Sequence, residues 1–124
     1  MTNFNKVILV GNLTSDPDLR YTSEGLPVGK IRLAVNRRWK ARDGEKREET
    51  SFFSVKAFGK PAELVSKYLQ KGHPILVDGR LHSYSFETEG GERKSIVEVV
   101  MEGFQFLPKG GGKREELAAT GTDG

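Results

Sequence analysis

The chain of 124 residues contains no cysteine. That excludes disulfides, thiolate metal sites and cysteine nucleophiles. Histidine is nearly as scarce, with only His73 and His82, too few for a side-chain zinc site of ordinary composition. No apolar run approaches the length that crosses a bilayer. The N-terminal apolar stretch, Val7 to Val10, stops after four residues at Gly11. No small-residue cleavage pattern follows it, so no secretion leader is read. A phosphate-cradling loop is missing too, because GNLTSD (11–16) lacks the Lys-Ser/Thr ending such loops need. His73 precedes Pro74 with no carboxylate or nucleophile at a telling spacing, and the acidic residues are scattered through turns. No catalytic residue, metal or cofactor is expected. Hydrophobic residues make up 35% of the chain, lowish for a self-sufficient globule, which leaves room for a flexible tail or burial in an oligomer. The reading is a soluble intracellular protein with no membrane partner.

What the chain does have is charge gathered around rings. The net charge is only +3, yet segment 37–47 alone carries six cations against Asp43 and Glu45. Between Arg37 and Phe58 lie the only Trp, three Phe and seven Lys or Arg, and Lys60 follows two residues later. Cations neutralise phosphates, and ring faces stack on bases that no complementary strand covers. The interleaving of the two points to an unpaired nucleic-acid strand. A solvated charged hairpin is the bland alternative for the charge taken alone.

Apolar residues recur with a period of two, which predicts strands. A first strand covers about Phe4 to Leu13. Val7 to Val10 are apolar in succession, so both its faces are expected to be covered, one by the core and one by another subunit. Asp16-Pro17-Asp18 reads as a turn, after which Leu19 to Thr22 is extended. Val28 to Lys40 alternates cleanly, with Ile31, Leu33 and Val35 on one face and Lys30, Arg32 and Asn36 on the other. Asp43-Gly44 signals a hairpin, and Arg47 to Phe58 returns as a strand. Pro61 to Lys71 predicts one helix, with Leu64, Val65, Tyr68 and Leu69 as its apolar stripe and Gly72 as its stop. Two further strands cover about Ile75 to Phe86 and Arg93 to Leu107. Residues 109–124 balance three cations with three carboxylates and hold a Gly run, which predicts a flexible tail. Five strands with one helix between the third and fourth is the element order of an OB-fold, a small Greek-key barrel. The expected division is an all-β domain over 1–108 and the tail over 109–124.

Parity then selects candidate contacts. Phe52, Lys56 and Phe58 share one strand face, opposite Phe53, Val55 and Ala57. Arg80, His82, Tyr84 and Phe86 share another, opposite Ile75, Val77 and Leu81. Core rings belong on the aliphatic side, so Phe53 is assigned to packing or a subunit interface. For Phe52, Phe58 and Phe86, stacking on bases is favoured over burial against a partner. Trp39 has core parity but lies past the aliphatic run; capping of the barrel is one reading, and its neighbours Arg38 and Lys40 favour a strand-binding role. Arg32 is a candidate cation. Tyr21 and Tyr68 read as structural. His82 reads as a phosphate or base contact.

Three stretches carry a resemblance. NKVILVGNLTSDPDLRYTSEG (5–25), FGKPAELVSKYLQKG (58–72) and DGRLHSYSFETEGGER (78–93) are similar to the bacterial single-stranded DNA-binding proteins, in order and register over about residues 3–107. The resemblance implies an OB-fold homotetramer that binds single-stranded DNA without sequence preference, protects it in replication, recombination and repair, and resides in the cytoplasm with the nucleoid. It places the family's stacking rings at Trp39, Phe52, Phe58 and Phe86; Phe52 and Phe86 stand where well-known members carry Trp. It matches family cations to Lys6, Lys60 and Lys71. A position that is often Arg is His82 here, with Arg80 two residues away. Members usually end in an acidic tip with a terminal Pro-Phe that recruits other proteins, whereas this sequence ends LAATGTDG, so tail-mediated recruitment is not expected. Two other readings of the same fold stand beside it: a protein-interaction module such as a primosome-type accessory factor, and an RNA-binding domain of the cold-shock kind.

Overall fold

The computed structural model describes residues 2–109. The expected tail lies outside the described residues except for Lys109. The elements are β1 (Val7–Leu13), β2 (Asp18–Tyr21), β3 (Pro27–Lys40), β4 (Lys46–Phe58), α1 (Lys60–Tyr68), β5 (Pro74–Glu87) and β6 (Arg93–Phe106). One sheet runs in the order β1-β5-β6-β4-β3-β2, and a further β1–β3 pairing closes it. The closed ring therefore has five strands, as expected for an OB-fold, and β2 is an extra edge strand on β3. Its pairing turns the stretch read only as extended into a regular strand. Every contact in the ring is antiparallel except β4–β6.

Closure depends on β1 serving two partners. Val7 to Asn12 pair with β5, while Asn12 and Leu13 pair with Ala34 and Leu33 of β3. The strand crosses over at Gly11. A Cβ there would stand 2.6 Å from the Ala34 carbonyl oxygen, so the crossing requires a residue without a side chain. A second crowded glycine, Gly79, lies at a bulge. Its missing Cβ leaves room for the Val100 backbone, and the register jumps there from Asp78–Gly103 to Gly79–Met101, so that Glu102 is the extra residue.

Alternation fills the barrel. Leu13, Leu33, Val55, Ile75, Val77 and Val99 are fully buried, and the helix closes one end with Ala62, Val65 and Leu69. The helix ends at Tyr68, three residues before the expected last helical residue, Lys71. Leu69 leaves helical geometry with φ −114° and ψ 151°, while its N–H still donates to the Val65 carbonyl. That turn drives Leu69 into the core and leaves Tyr68 outside it, so the predicted Tyr68 stripe position is corrected.

The two longest hairpins outgrow the barrel. Beyond Val35 and Ser51, β3 and β4 continue as a two-stranded ribbon. Beyond Gly79, β5 and β6 do the same. Every residue from Arg80 to Glu87 is exposed, and Leu81, expected in the core by parity, is 45% exposed. Alternation still sorts the two faces there, but no core lies beneath either of them.

Candidate nucleic-acid interface

The outer faces of β3, β4, β6 and β5 form one continuous surface. Phe52 lies opposite Ala34 and Ser54 opposite Arg32. The Arg32 guanidinium sits 5.2 Å from the Phe52 ring centroid, a cation–π contact that holds both side chains on the same face. Lys56 follows two residues along, with Lys30 directly opposite it. Phe58 ends the strand. Phe52 and Phe58 are 52% and 43% exposed, and Phe86 on β5 is 41% exposed, so the rings selected by parity are bare in the isolated chain.

β6 joins the two ring-bearing strands. Glu98 lies opposite His82, and its carboxylate meets Lys56 Nζ at 3.3 Å and His82 Nδ1 at 3.9 Å. Glu98 is only 8% exposed, so a nearly buried anion holds a cation from β4 and an imidazole from β5 side by side. Along β5 the rings form a row. His82 and Tyr84 are stacked with centroids 5.7 Å apart, and Tyr84 and Phe86 are tilted at 6.5 Å. Sequence reading missed Glu98, because a lone carboxylate in a strand reads as solvent-facing; its place between two cation-bearing strands is visible only from the topology.

Other candidates stand apart. By the alternation of the pleat, Trp39 lies on the opposite face of the β3–β4 ribbon from Phe52. It pairs with Arg47 across the strands, and the Arg37 guanidinium lies 4.7 Å from its ring centroid. Arg37 was not among the expected contacts; only the fold shows that its planar head covers the indole. Lys6 is tied to Asp78 at 3.0 Å and Glu102 at 3.7 Å, and Arg80 reaches Glu102 at 3.5 Å. The hydrogen bond to Asp78 raises the Lys6 pKa above the ordinary lysine value. The structure thus gives Lys6 and Arg80 carboxylate partners of their own. Lys40, Lys60 and Lys71 are exposed and make no ion pair among the described residues.

The cationic hairpin is less charged than its linear count. Glu48 and Glu49, just beyond the 37–47 window, pair across the ribbon with Arg38 at 3.5 Å and Arg37 at 3.6 Å. Arg47 bonds Asp43 at 3.2 Å. Positive charge is left concentrated at the tip, where Lys40 faces Lys46 directly and Arg42 lies in the turn. Like charges opposite one another repel, so an anion lying between these two lysines would be welcome.

A closed five-stranded barrel of this strand order is an OB-fold, and its outer wall carries rings among cations. The sequence profile of the Single-strand binding protein family matches residues 4–107. The chain belongs to that family. It is 44% identical over 108 residues to a single-stranded DNA-binding protein of Wolinella succinogenes, covering 87% of this chain and 67% of the relative. It is 47% identical over 109 residues to the protein of that name from Bacillus cereus, covering 87% and 63%. The chain spans about two thirds of the length of these relatives. Among solved structures, the Plasmodium falciparum SSB complex with ssDNA superposes with a TM-score of 0.81 at 27% identity, covering 87% of this chain and 98% of that one. A deletion mutant of the single-stranded DNA binding protein from Thermus aquaticus gives 0.76 at 36% identity, covering 85% and 51%. No described helix is long and apolar enough to cross a membrane.

Proposed function

We propose that this chain binds single-stranded DNA without sequence preference and shields it during replication, recombination and repair. The observation that carries the reading is the exposure of Phe52, Phe58 and Phe86 on a wall that also presents Arg32, Lys56, His82 and Tyr84. Bases lie flat on the rings while cations meet the phosphates, a mode indifferent to base identity because every base has a π-face. Trp39, Arg38 and Lys40 extend the contact along the ribbon, and Lys60 and Lys71 flank the helix. Lys6 and Arg80 join by exchanging their carboxylates for phosphate. The chemistry is binding, with no bond made or broken. A cytoplasmic, nucleoid-associated location follows from the ligand.

The same reading makes the chain a homotetramer. Ile8 and Val10 are 64% and 46% exposed on the outer face of β1, a bare apolar edge that association with another copy would cover. Titration with oligo-dT, followed by Trp39 emission beside light scattering for mass, tests both parts. Tight quenching by single strands, weak duplex binding and a fourfold mass are expected. Equal affinity for duplex and single strand would defeat the reading, and preference for a matched RNA oligomer would move it to the RNA-binding class.

A further inference from the structure

A ring beside a free cation recurs away from that wall. At the C-terminal end of α1, Tyr68 is 54% exposed and Phe106 of β6 is 40% exposed. Their rings meet edge to face at 5.9 Å, and Phe106 is braced from behind by Phe104 at 5.0 Å. Lys67 Nζ lies 5.3 Å from the Tyr68 ring centroid. Together with Leu69, His73, Leu107 and Lys109, the two rings line an open hollow. A second open hollow surrounds Trp39, again lined by a ring and cations.

The charge around the hollow suits a polyanion. Lys67, Lys71 and Lys109 are exposed and make no ion pair among the described residues. The nearest helical carboxylate, Glu63, is held by the Tyr21 hydroxyl at 3.0 Å, and Asp16 is held by the Lys71 backbone N–H at 2.8 Å. Lys60 and Lys67 are two turns apart on one face of the helix. They join the Phe58 end of the first surface to the hollow over roughly 13 Å of helix.

We propose that Tyr68 and Phe106, with Lys67, Lys71 and Lys109, form a second stacking station for single-stranded DNA at the far end of the helix. The proposal rests on the binding function above and lengthens its track. A strand leaving Phe58 runs along the lysine face of α1 and lays a base against Tyr68, while its phosphates meet Lys67 and Lys109. An acidic peptide is the other polyanion such a hollow could hold. The rings favour the nucleic acid, because they offer broad faces at the surface rather than a deep pocket for one side chain.

The test moves the reporter. In the double variant Trp39→Phe/Tyr68→Trp the only indole stands at position 68. Long oligo-dT is added while anisotropy of a labelled oligomer records binding independently. The expected result is quenching of the indole at position 68 in step with the anisotropy rise. A rise without quenching overturns the second station and leaves the first surface standing, whereas no rise with the unsubstituted protein removes the binding function itself. A shift produced by an acidic, Phe-containing peptide and not by oligo-dT also overturns the proposal, in favour of a peptide groove. In the otherwise unchanged chain, Tyr68→Ala should weaken long-oligomer binding by roughly 5- to 150-fold. Short-oligomer quenching of Trp39 should stay as it was.

Discussion

Lys56 Nζ sits 3.3 Å from the carboxylate of Glu98, whose side chain is only 9% exposed. The pair spans the one parallel contact of the barrel, β4 against β6, and the anion also faces His82 of β5. An isolated buried carboxylate is costly, so Lys56 is held in place as much by the needs of Glu98 as by any ligand. Glu98→Gln keeps the shape and removes the charge. It should lower stability by about 1–3 kcal/mol in chemical denaturation, the cost of leaving a buried polar group without its partner. It should also free Lys56 for phosphate and steepen the log–log salt dependence of binding by about 0.7, the value for one added contact on a single strand. An unchanged salt slope would mean that Lys56 meets no additional phosphate once the carboxylate is gone.

Exposure should separate rings that bind from rings that hold the fold. Phe52→Ala and Phe86→Ala remove side chains that are about half bare in the isolated chain. Each should weaken binding by about 1–3 kcal/mol, one stacked base, with little change in unfolding. Phe53 lies on the other face, opposite Leu33 of the core, and Phe53→Ala should do the reverse. Titration and thermal melting of the three variants check the division.

The alkaline limit of stability should depend on Tyr21. Its hydroxyl donates to Glu63 at 3.0 Å, and that bond raises its pKa above the ordinary 10.0. A group whose pKa is higher folded than unfolded contributes fully below the unfolded value and loses that contribution as pH rises through the folded one. The Tyr21 contribution is therefore intact at neutral pH and fades above about pH 10. Lys6, raised by Asp78, acts in the same direction above its own ordinary 10.5. Urea unfolding of the native chain and Tyr21→Phe should show a gap at pH 8 that closes as the solution becomes strongly alkaline. A gap that persists unchanged would detach Tyr21 from the alkaline transition.

Much of this was legible from alternation alone, and the failures share a physical cause. Period-two reading placed Ile31, Leu33, Val55, Ala57, Ile75 and Val77 in the core, where each lies buried. It failed at Leu81, because alternation reports which residues share a face but not whether a barrel still stands behind it. Tyr68 was misplaced because the helix ends when Leu69 turns into the core, an event set by tertiary packing and not by propensity. The charge surplus of the β3–β4 hairpin was overstated because Glu48 and Glu49 neutralise Arg38 and Arg37 across the ribbon. A linear window stops at the turn, whereas an ion pair crosses it. Glu98 escaped for the same reason, since its partners are on strands distant in sequence.

Barrel closure should fail at one methyl group. Gly11→Ala places a Cβ 2.6 Å from the Ala34 carbonyl oxygen, where backbone has to move. Forcing atoms into packed structure costs about 1–3 kcal/mol, and a backbone obstacle belongs at the upper end. The melting temperature should drop by several degrees, and hydrogen exchange should quicken first at Asn12 and Leu13, whose pairing with β3 closes the ring. A variant as stable as the parent would mean that β1 passes from β5 to β3 with slack to spare.

Trp39 and Phe52 lie on opposite faces of the β3–β4 ribbon, and their register positions differ by five residues along β3. At the spacing of an extended strand that is roughly 17 Å. Residues so far apart with no shared partner contribute additively to within about 0.5 kcal/mol. Trp39→Ala and Phe52→Ala should therefore each weaken long-oligomer binding, and the double variant should lose the sum. Arg32 and Phe52 stand differently, because the guanidinium covers the ring at 5.2 Å. Removing Arg32 both subtracts a cation and uncovers a face of Phe52, so their cycle should deviate from additivity by more than about 0.5 kcal/mol. Binding isotherms for the two cycles decide it. Strong coupling between Trp39 and Phe52 would place both rings against one stretch of bases, and the strand would then have to bend sharply around the ribbon edge to reach them.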